Sequence, residues 1–133
     1  AVINRVLSYF KRVTYMPDTE LWRQGDKGDC CLLLVSGSIR SDLEEEAGTF
    51  EHVVEGSIIG ELALIQGDEG RRFTTVRTIE KCVVYELTED SWKAMKENDK
   101  YEAMLIMMVC IRYLSHRVQH VSNRFVETRC VPI

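Results

Sequence analysis

All eight glycines of this 133-residue chain lie between positions 25 and 70, and they punctuate a series of short β-prone runs. Glu20–Arg23, Cys30–Val35, Ser38–Asp42, Phe50–Val54, Ile58–Ile59, Phe73–Thr78 and Cys82–Leu87 read as strands. Between them stand the turn formers Gln24-Gly25-Asp26-Lys27-Gly28-Asp29, the Ser36-Gly37 hairpin turn, the acidic stretch 43–48, Glu55-Gly56-Ser57, and a polar loop over 66–72. Glycine and the small polar residues supply the backbone conformations that tight turns need. Many short strands at this spacing predict a jelly-roll β-barrel over residues 20–87.

The flanks follow a different period. Val2, Val6, Leu7 and Phe10 recur at helical spacing, which predicts an N-terminal helical segment over 1–15. Met16-Pro17-Asp18 ends it, because a residue before proline avoids the α region. Beyond the strands, Thr88 is a candidate N-cap for a helix over Glu89–Glu97. Asn98 or Asp99 then opens a longer helix from Lys100 to about Asn123, with or without a break. Residues 88–125 are thus expected to form the C-terminal helices. The first half of the long helix is apolar nearly all round, which implies burial, with Met104, Met107 and Met108 as core filler. The expected fold class is mainly β with flanking helices, and residues 1–133 read as one domain.

Several function classes fall away. A net charge of −4 and a pI near 5.4 leave no electrostatic footprint for nucleic acid, so no nucleic-acid partner is expected. The longest apolar run, Ala103–Ile111, is about half of the ~20 residues that cross a bilayer, so no membrane insertion by this segment is expected. The five cysteines are odd in number and form no C-x-x-C pair, and four of them sit in apolar runs. They read as reduced, buried thiols of a reducing compartment. His116 and His120 share a helix face, yet no third ligand lies near, and His52 stands alone in a strand. No metal is expected. No nucleophile–base arrangement has supporting context, so no catalytic residue and no enzyme activity are expected. A chain that starts at Ala1 rather than Met reads as a piece of a longer protein.

Two stretches point to one family. Leu21-Trp22-Arg23-Gln24-Gly25-Asp26-Lys27-Gly28-Asp29, followed by Leu32–Val35 and Ser36-Gly37, resembles the opening strands of cyclic-nucleotide-binding domains. Gly60-Glu61-Leu62-Ala63-Leu64, with Arg71-Arg72 and Thr74-Thr75-Val76 further on, resembles that family's phosphate-binding cassette, here over 60–76. The resemblance spans roughly Leu7 to Ser122. It implies a jelly-roll barrel of the cyclic-nucleotide-binding type, with cAMP or cGMP as ligand. Transcription regulators of the same superfamily carry a helix-turn-helix after the long helix; with the sequence ending at Ile133, none is expected here.

The chemistry of such a cassette is readable from the residue types. A cyclic phosphate is a monoanion, which backbone N–H groups approach where residues are small and where a helix begins. A carboxylate accepts from a ribose hydroxyl, and an arginine neutralises the phosphate with directed donors. The resemblance therefore makes Glu61 the ribose ligand and Arg72 the phosphate ligand. Gly60, Leu62, Ala63 and Leu64 supply backbone amides, and Thr74 or Thr75 lines the base end.

Three departures stand against this pattern. Phe73 follows the presumed phosphate arginine where the family usually has a small or hydroxylated residue. The 64–72 loop is longer and carries Asp68 and Glu69, whose charges oppose an anion. Arg71 stands where proline or arginine is common, so either Arg71 or Arg72 is the working arginine. Two functions stay open: a ligand-sensing regulatory domain, whose long helix closes over the pocket and moves an attached domain, and a degenerate barrel that binds no nucleotide and serves as an interaction scaffold. Leu114-Ser115-His116-Arg117-Val118 and Ser122-Asn123-Arg124-Phe125 resemble the cytosolic tails of fungal sulfate-permease-type transporters. That resemblance implies a place on the cytosolic face of an organelle or plasma membrane, with the rest of the parent chain as partner.

Overall fold

The structure, a computed structural model, describes the backbone of residues 2–43 and 50–129, with the side chains of those residues except 63, 68, 117, 118 and 120–129. Helix α1 (Val2–Leu7) leads into β1 (Lys11–Tyr15), β2 (Glu20–Trp22), β3 (Cys30–Ser36), β4 (Ile39–Asp42), β5 (Phe50–Val53) and β6 (Ile58–Ile59). Helix α2 (Glu61–Gln66) and a single 3-10 turn over Gly67–Glu69 follow. The chain then forms β7 (Thr75–Thr78), β8 (Cys82–Thr88), α3 (Glu89–Asn98) and α4 (Lys100–Arg129). Thr88 caps α3 as its sequence position implies, accepting a 3.2 Å hydrogen bond from the Ser91 N–H.

The strands hydrogen-bond as two four-stranded antiparallel sheets, ordered β1-β8-β3-β6 and β2-β7-β4-β5. Among the described residues the strands of the expected jelly roll bond as these two antiparallel sheets. The apolar run of β3 explains how they pack. Leu32 and Leu34 point between the sheets and meet Ile39, Val76, Cys82 and Val84. Cys31 points to the opposite face, where Leu64, Leu87, Trp92, Met95 and Ala103 form a second cluster beneath the helices. A strand buried on both faces reads as continuously apolar, and this one does. Each fully buried Leu, Ile or Met contributes about 1.5–3 kcal/mol.

Three expectations are corrected. Residues 11–15 are not helical: Lys11-Arg12-Val13-Thr14-Tyr15 alternates and pairs antiparallel along its full length with Cys82–Glu86 of β8, a non-local pairing that outweighs a short helix. Helix α4 runs unbroken to Arg129, past the expected end near Asn123. Its first half is not buried all round. Ala103 and Cys110 are buried, but Met104, Met107, Met108 and Ile111 are between 44% and 56% exposed. The acidic loop lies largely outside the described residues. Among the described residues no helix is long and apolar enough to cross a membrane, and no group of three or more His, Cys, Asp or Glu could hold a metal ion.

Helix α4 is anchored at its start. The Arg5 guanidinium meets the buried Glu102 carboxylate at 2.8 Å, and the Tyr9 hydroxyl donates to Asp99 at 2.5 Å. Burial also pushes the thiols up: Cys30 and Cys110 rise from 9.0 to about 11, and Cys31 and Cys82 rise as well. A folded thiol keeps its proton where the unfolded one has lost it, so the native state binds more protons and stability falls as pH climbs. The unfolding free energy is expected to decline between pH 9 and about 11. Calorimetry across that range should show a shallower decline for Cys110→Ala.

Candidate functional site

The site is built on a backbone clamp between the Gln24–Asp29 turn and the segment 70–72. The Arg72 N–H donates to Asp26 O at 2.8 Å, the Gly25 N–H donates to Arg72 O at 2.9 Å, and the Gly28 N–H donates to Gly70 O at 3.0 Å. Lys27 and Arg71 form an isolated antiparallel bridge at the same place. The turn closes on itself through the Asp26 carboxylate, which accepts from the Arg23 N–H at 3.0 Å. Turn residues distant in sequence thus fix the path of the chain through Arg72.

That path separates the two adjacent arginines. Arg71 is exposed, whereas Arg72 is buried, with 6% of its surface accessible. The Arg72 Nη2 donates to Cys30 O at 2.8 Å and lies 3.4 Å from Cys30 Sγ. Its Cζ sits 3.7 Å from the centroid of the Trp22 ring. Among the described residues, Nη1 makes only a long contact, 3.5 Å, to Gly60 O, and the buried Nε has no hydrogen-bond partner. Asp29 approaches Nη2 at 3.7 Å, but its side chain is 76% exposed, so water screens the pair.

Gly60 is the other fixed point. It adopts a left-handed conformation, φ 79° and ψ 13°, immediately before α2. A Cβ there would lie 2.5 Å from Arg72 Nη1, 2.9 Å from Trp22 Cη2 and 3.1 Å from Cys30 O. Only glycine meets both the backbone and the steric demand.

These residues wall a cavity of about 250 Å³. Gly60, Leu62, Arg71, Arg72 and Thr74 of the sequence candidates line it. Thr74 accepts from the Ser41 hydroxyl at 2.7 Å. Phe73 also lines the cavity with 57% of its surface exposed, so the ring is not in the core. Glu61 and Thr75 are not among the lining residues. Glu61 is 1% exposed, and its charge acts on the Cys31 and Cys110 thiols beneath the helices. Thr75 is engaged by Gln24, whose N–H donates to Oγ1 at 3.0 Å. Ala63 lies in α2 with its side chain outside the described set, as does that of Asp68 in the loop.

Residues that sequence reasoning passed over complete the wall. Trp22 stands directly before the turn and gave no local signal beyond its aromatic character. Tyr113 and His116 reach the cavity from α4. The Tyr113 hydroxyl donates to Gly56 O at 2.6 Å, tying the helix to the turn between β5 and β6. His116, weighed in the sequence as a metal ligand, is exposed and lines the same cavity. The arrangement is a small, mostly apolar cavity with a buried cation in its wall, bordered on one side by a helix.

A family model described as cyclic nucleotide-binding domain matches residues 12–99. The cyclic AMP receptor protein of Thermus thermophilus is 28% identical over 96 residues, covering 70% of this chain and 44% of that protein. The chain therefore spans less than half the length of this relative. The c-di-GMP-responsive global regulator CLP of Xanthomonas campestris superposes with a TM-score of 0.81 at 21% identity, covering 98% of this chain and 65% of the regulator. A cyclic nucleotide-binding domain from Methylobacillus flagellatus gives 0.84 at 20% identity, with 96% and 72% covered. At these identities the two solved structures speak for the fold alone.

Proposed function

The chain belongs to the cyclic nucleotide-binding domain family, and from that premise we propose that it is a ligand-sensing regulatory domain for a purine cyclic mononucleotide, cAMP or cGMP, and not an enzyme. The observation that carries this reading is Arg72. A guanidinium in a cavity wall, buried, with an unpartnered Nε and a weakly engaged Nη1, has donors to offer a phosphate. Phosphate oxygens accept such donors in pairs, and the charge is matched.

Size narrows the ligand. The cavity of about 250 Å³ lies just below the usual range of ligand pockets, roughly 300–1,000 Å³, and suits a mononucleotide better than a dinucleotide. In this reading the amides of Gly60, Leu62 and Ala63 and the Arg72 side chain hold the phosphate. Arg71 adds charge from the exposed side, and Thr74 faces the base. Glu61 and Thr75 reach the ligand only if the cassette shifts. Helix α4, with Tyr113 and His116 at the cavity, is the element whose movement would report occupancy. Its response is limited to the ligand's differential affinity for the two helix positions.

A second reading has its own support. Arg72 already engages Cys30 O and Trp22, and Glu61 is not among the residues lining the cavity, as in a degenerate domain kept as a scaffold. Calorimetric titration separates the two. The sensor is expected to give saturable heat with cAMP or cGMP and none with adenosine, which lacks the anion. No heat at millimolar nucleotide, about −4 kcal/mol, leaves the scaffold. The similarity of residues 114–125 to transporter tails supports attachment to a membrane transporter at its cytosolic face. Fractionation of the full-length protein with membranes tests that attachment.

A further inference from the structure

We infer that Trp22 is the positioning residue for the anion-binding arginine: its indole face holds the Arg72 guanidinium in the cavity wall without using its in-plane Nε and Nη1 donors, which are left for a phosphate. The inference rests on the sensing role proposed above and adds a residue to it.

The charge of Arg72 needs a stabilising partner, because an unpaired buried cation is strongly disfavoured. A carboxylate would supply one, but it would occupy the edge of the guanidinium, which is where an anionic ligand must bind. The carboxylate paired with it among the described residues, Asp29, is 3.7 Å away and mostly in water. Trp22 meets the charge differently. With Cζ 3.7 Å from the ring centroid, the contact lies well inside the range of a cation–π interaction, and it uses no N–H donor.

Local structure places the indole for this. The register of β2 against β7 shifts between Glu20 and Trp22, where Glu20 pairs with Arg77 and Trp22 with Val76. Such a bulge re-aims the side chain that follows it. Gly60 contributes on the far side: a Cβ there would press on both Trp22 Cη2 and Arg72 Nη1, so the pair packs against bare backbone. Cys30 O fixes Nη2. Ring, backbone and carbonyl together hold the guanidinium with its Nε unpartnered.

The test compares Trp22→Leu and Trp22→Phe with the wild-type chain by two readouts. The first is the ¹⁵N–¹H signal of the Arg72 Nε–H, assigned by its disappearance in Arg72→Met. In the wild-type protein it should be ring-current shifted and protected from exchange. Trp22→Leu should abolish the shift, and Trp22→Phe should retain part of it. The second is the affinity for cAMP and cGMP, expected to fall on the order of 10-fold in Trp22→Leu and about 3-fold in Trp22→Phe, following ring quadrupole strength. An unchanged Nε–H signal, or equal losses in both variants, overturns the inference and makes Trp22 a packing residue. Should Trp22→Leu fail to fold, Trp22→Phe alone decides: a signal and affinity identical to wild type overturn it. If the wild-type chain binds neither nucleotide while the Nε–H signal follows the ring as described, the sensing role falls and the positioning role stands.

Discussion

Arg72→Met is expected to weaken cyclic-nucleotide binding by on the order of 100-fold or more, without lowering the thermal midpoint of the free domain. The binding arm follows from the donors lost. A hydrogen bond to a charged group contributes about 1.5–3 kcal/mol, and a phosphate takes two from one guanidinium. The stability arm follows from the burial of the charge. Arg72 is 6% exposed, its Nε lacks a partner, and its nearest carboxylate stands in solvent. Bringing such a cation out of water costs several kcal/mol before any compensation. The Cys30 carbonyl and the Trp22 face return about 2–4 kcal/mol of that. Methionine fills similar space with no charge to desolvate and adapts its shape to the slot. A domain made more stable and less able to bind would mark Arg72 as retained for its ligand. A midpoint lowered by many degrees with unchanged affinity would mark it as a structural member instead. Calorimetry in both modes, scanning and titration, reads the two arms on one preparation.

The sequence made the strand rhythm, the Thr88 cap and the two motif stretches legible because each is a local property. Turn residues and alternation act within a few positions. What escaped depends on contacts between distant segments. Lys11–Tyr15 carries two charges in five residues and shows its strand character only against β8. Arg71 and Arg72 cannot be told apart by type. They differ because the Gln24–Asp29 turn clamps the chain so that one side chain faces out and the next faces in. Glu61 matches its motif position, yet it is buried and is not among the residues that line the cavity, which its residue type alone does not reveal. Tyr113 and His116 reach the cavity only because α4 is tied down at Glu102 and Asp99, more than ten residues before them. The family resemblance named the segment; tertiary packing decides which of its residues line the cavity.

Gly60→Ala should expose that packing directly. An alanine in the left-handed region carries a penalty of about 1–2 kcal/mol. Its methyl group would also press on Arg72 Nη1, Trp22 and the Cys30 carbonyl, the last of which is backbone and gives little. The expected loss is about 2–4 kcal/mol, or roughly 10 °C in the midpoint for a domain of this size, together with weakened nucleotide binding as the guanidinium is displaced. The informative measurement is the double-mutant cycle with Arg72→Met. Removing the guanidinium removes the closest of the three contacts, so Gly60→Ala in that background should cost about 1 kcal/mol less than in the wild-type chain. Additivity within about 0.5 kcal/mol would mean that the two residues do not press on one another, and that the backbone angle alone requires glycine. A coupling of the expected sign would mean that the glycine at the head of α2 and the arginine twelve residues after it form one unit, in which the bare backbone makes room for the charge.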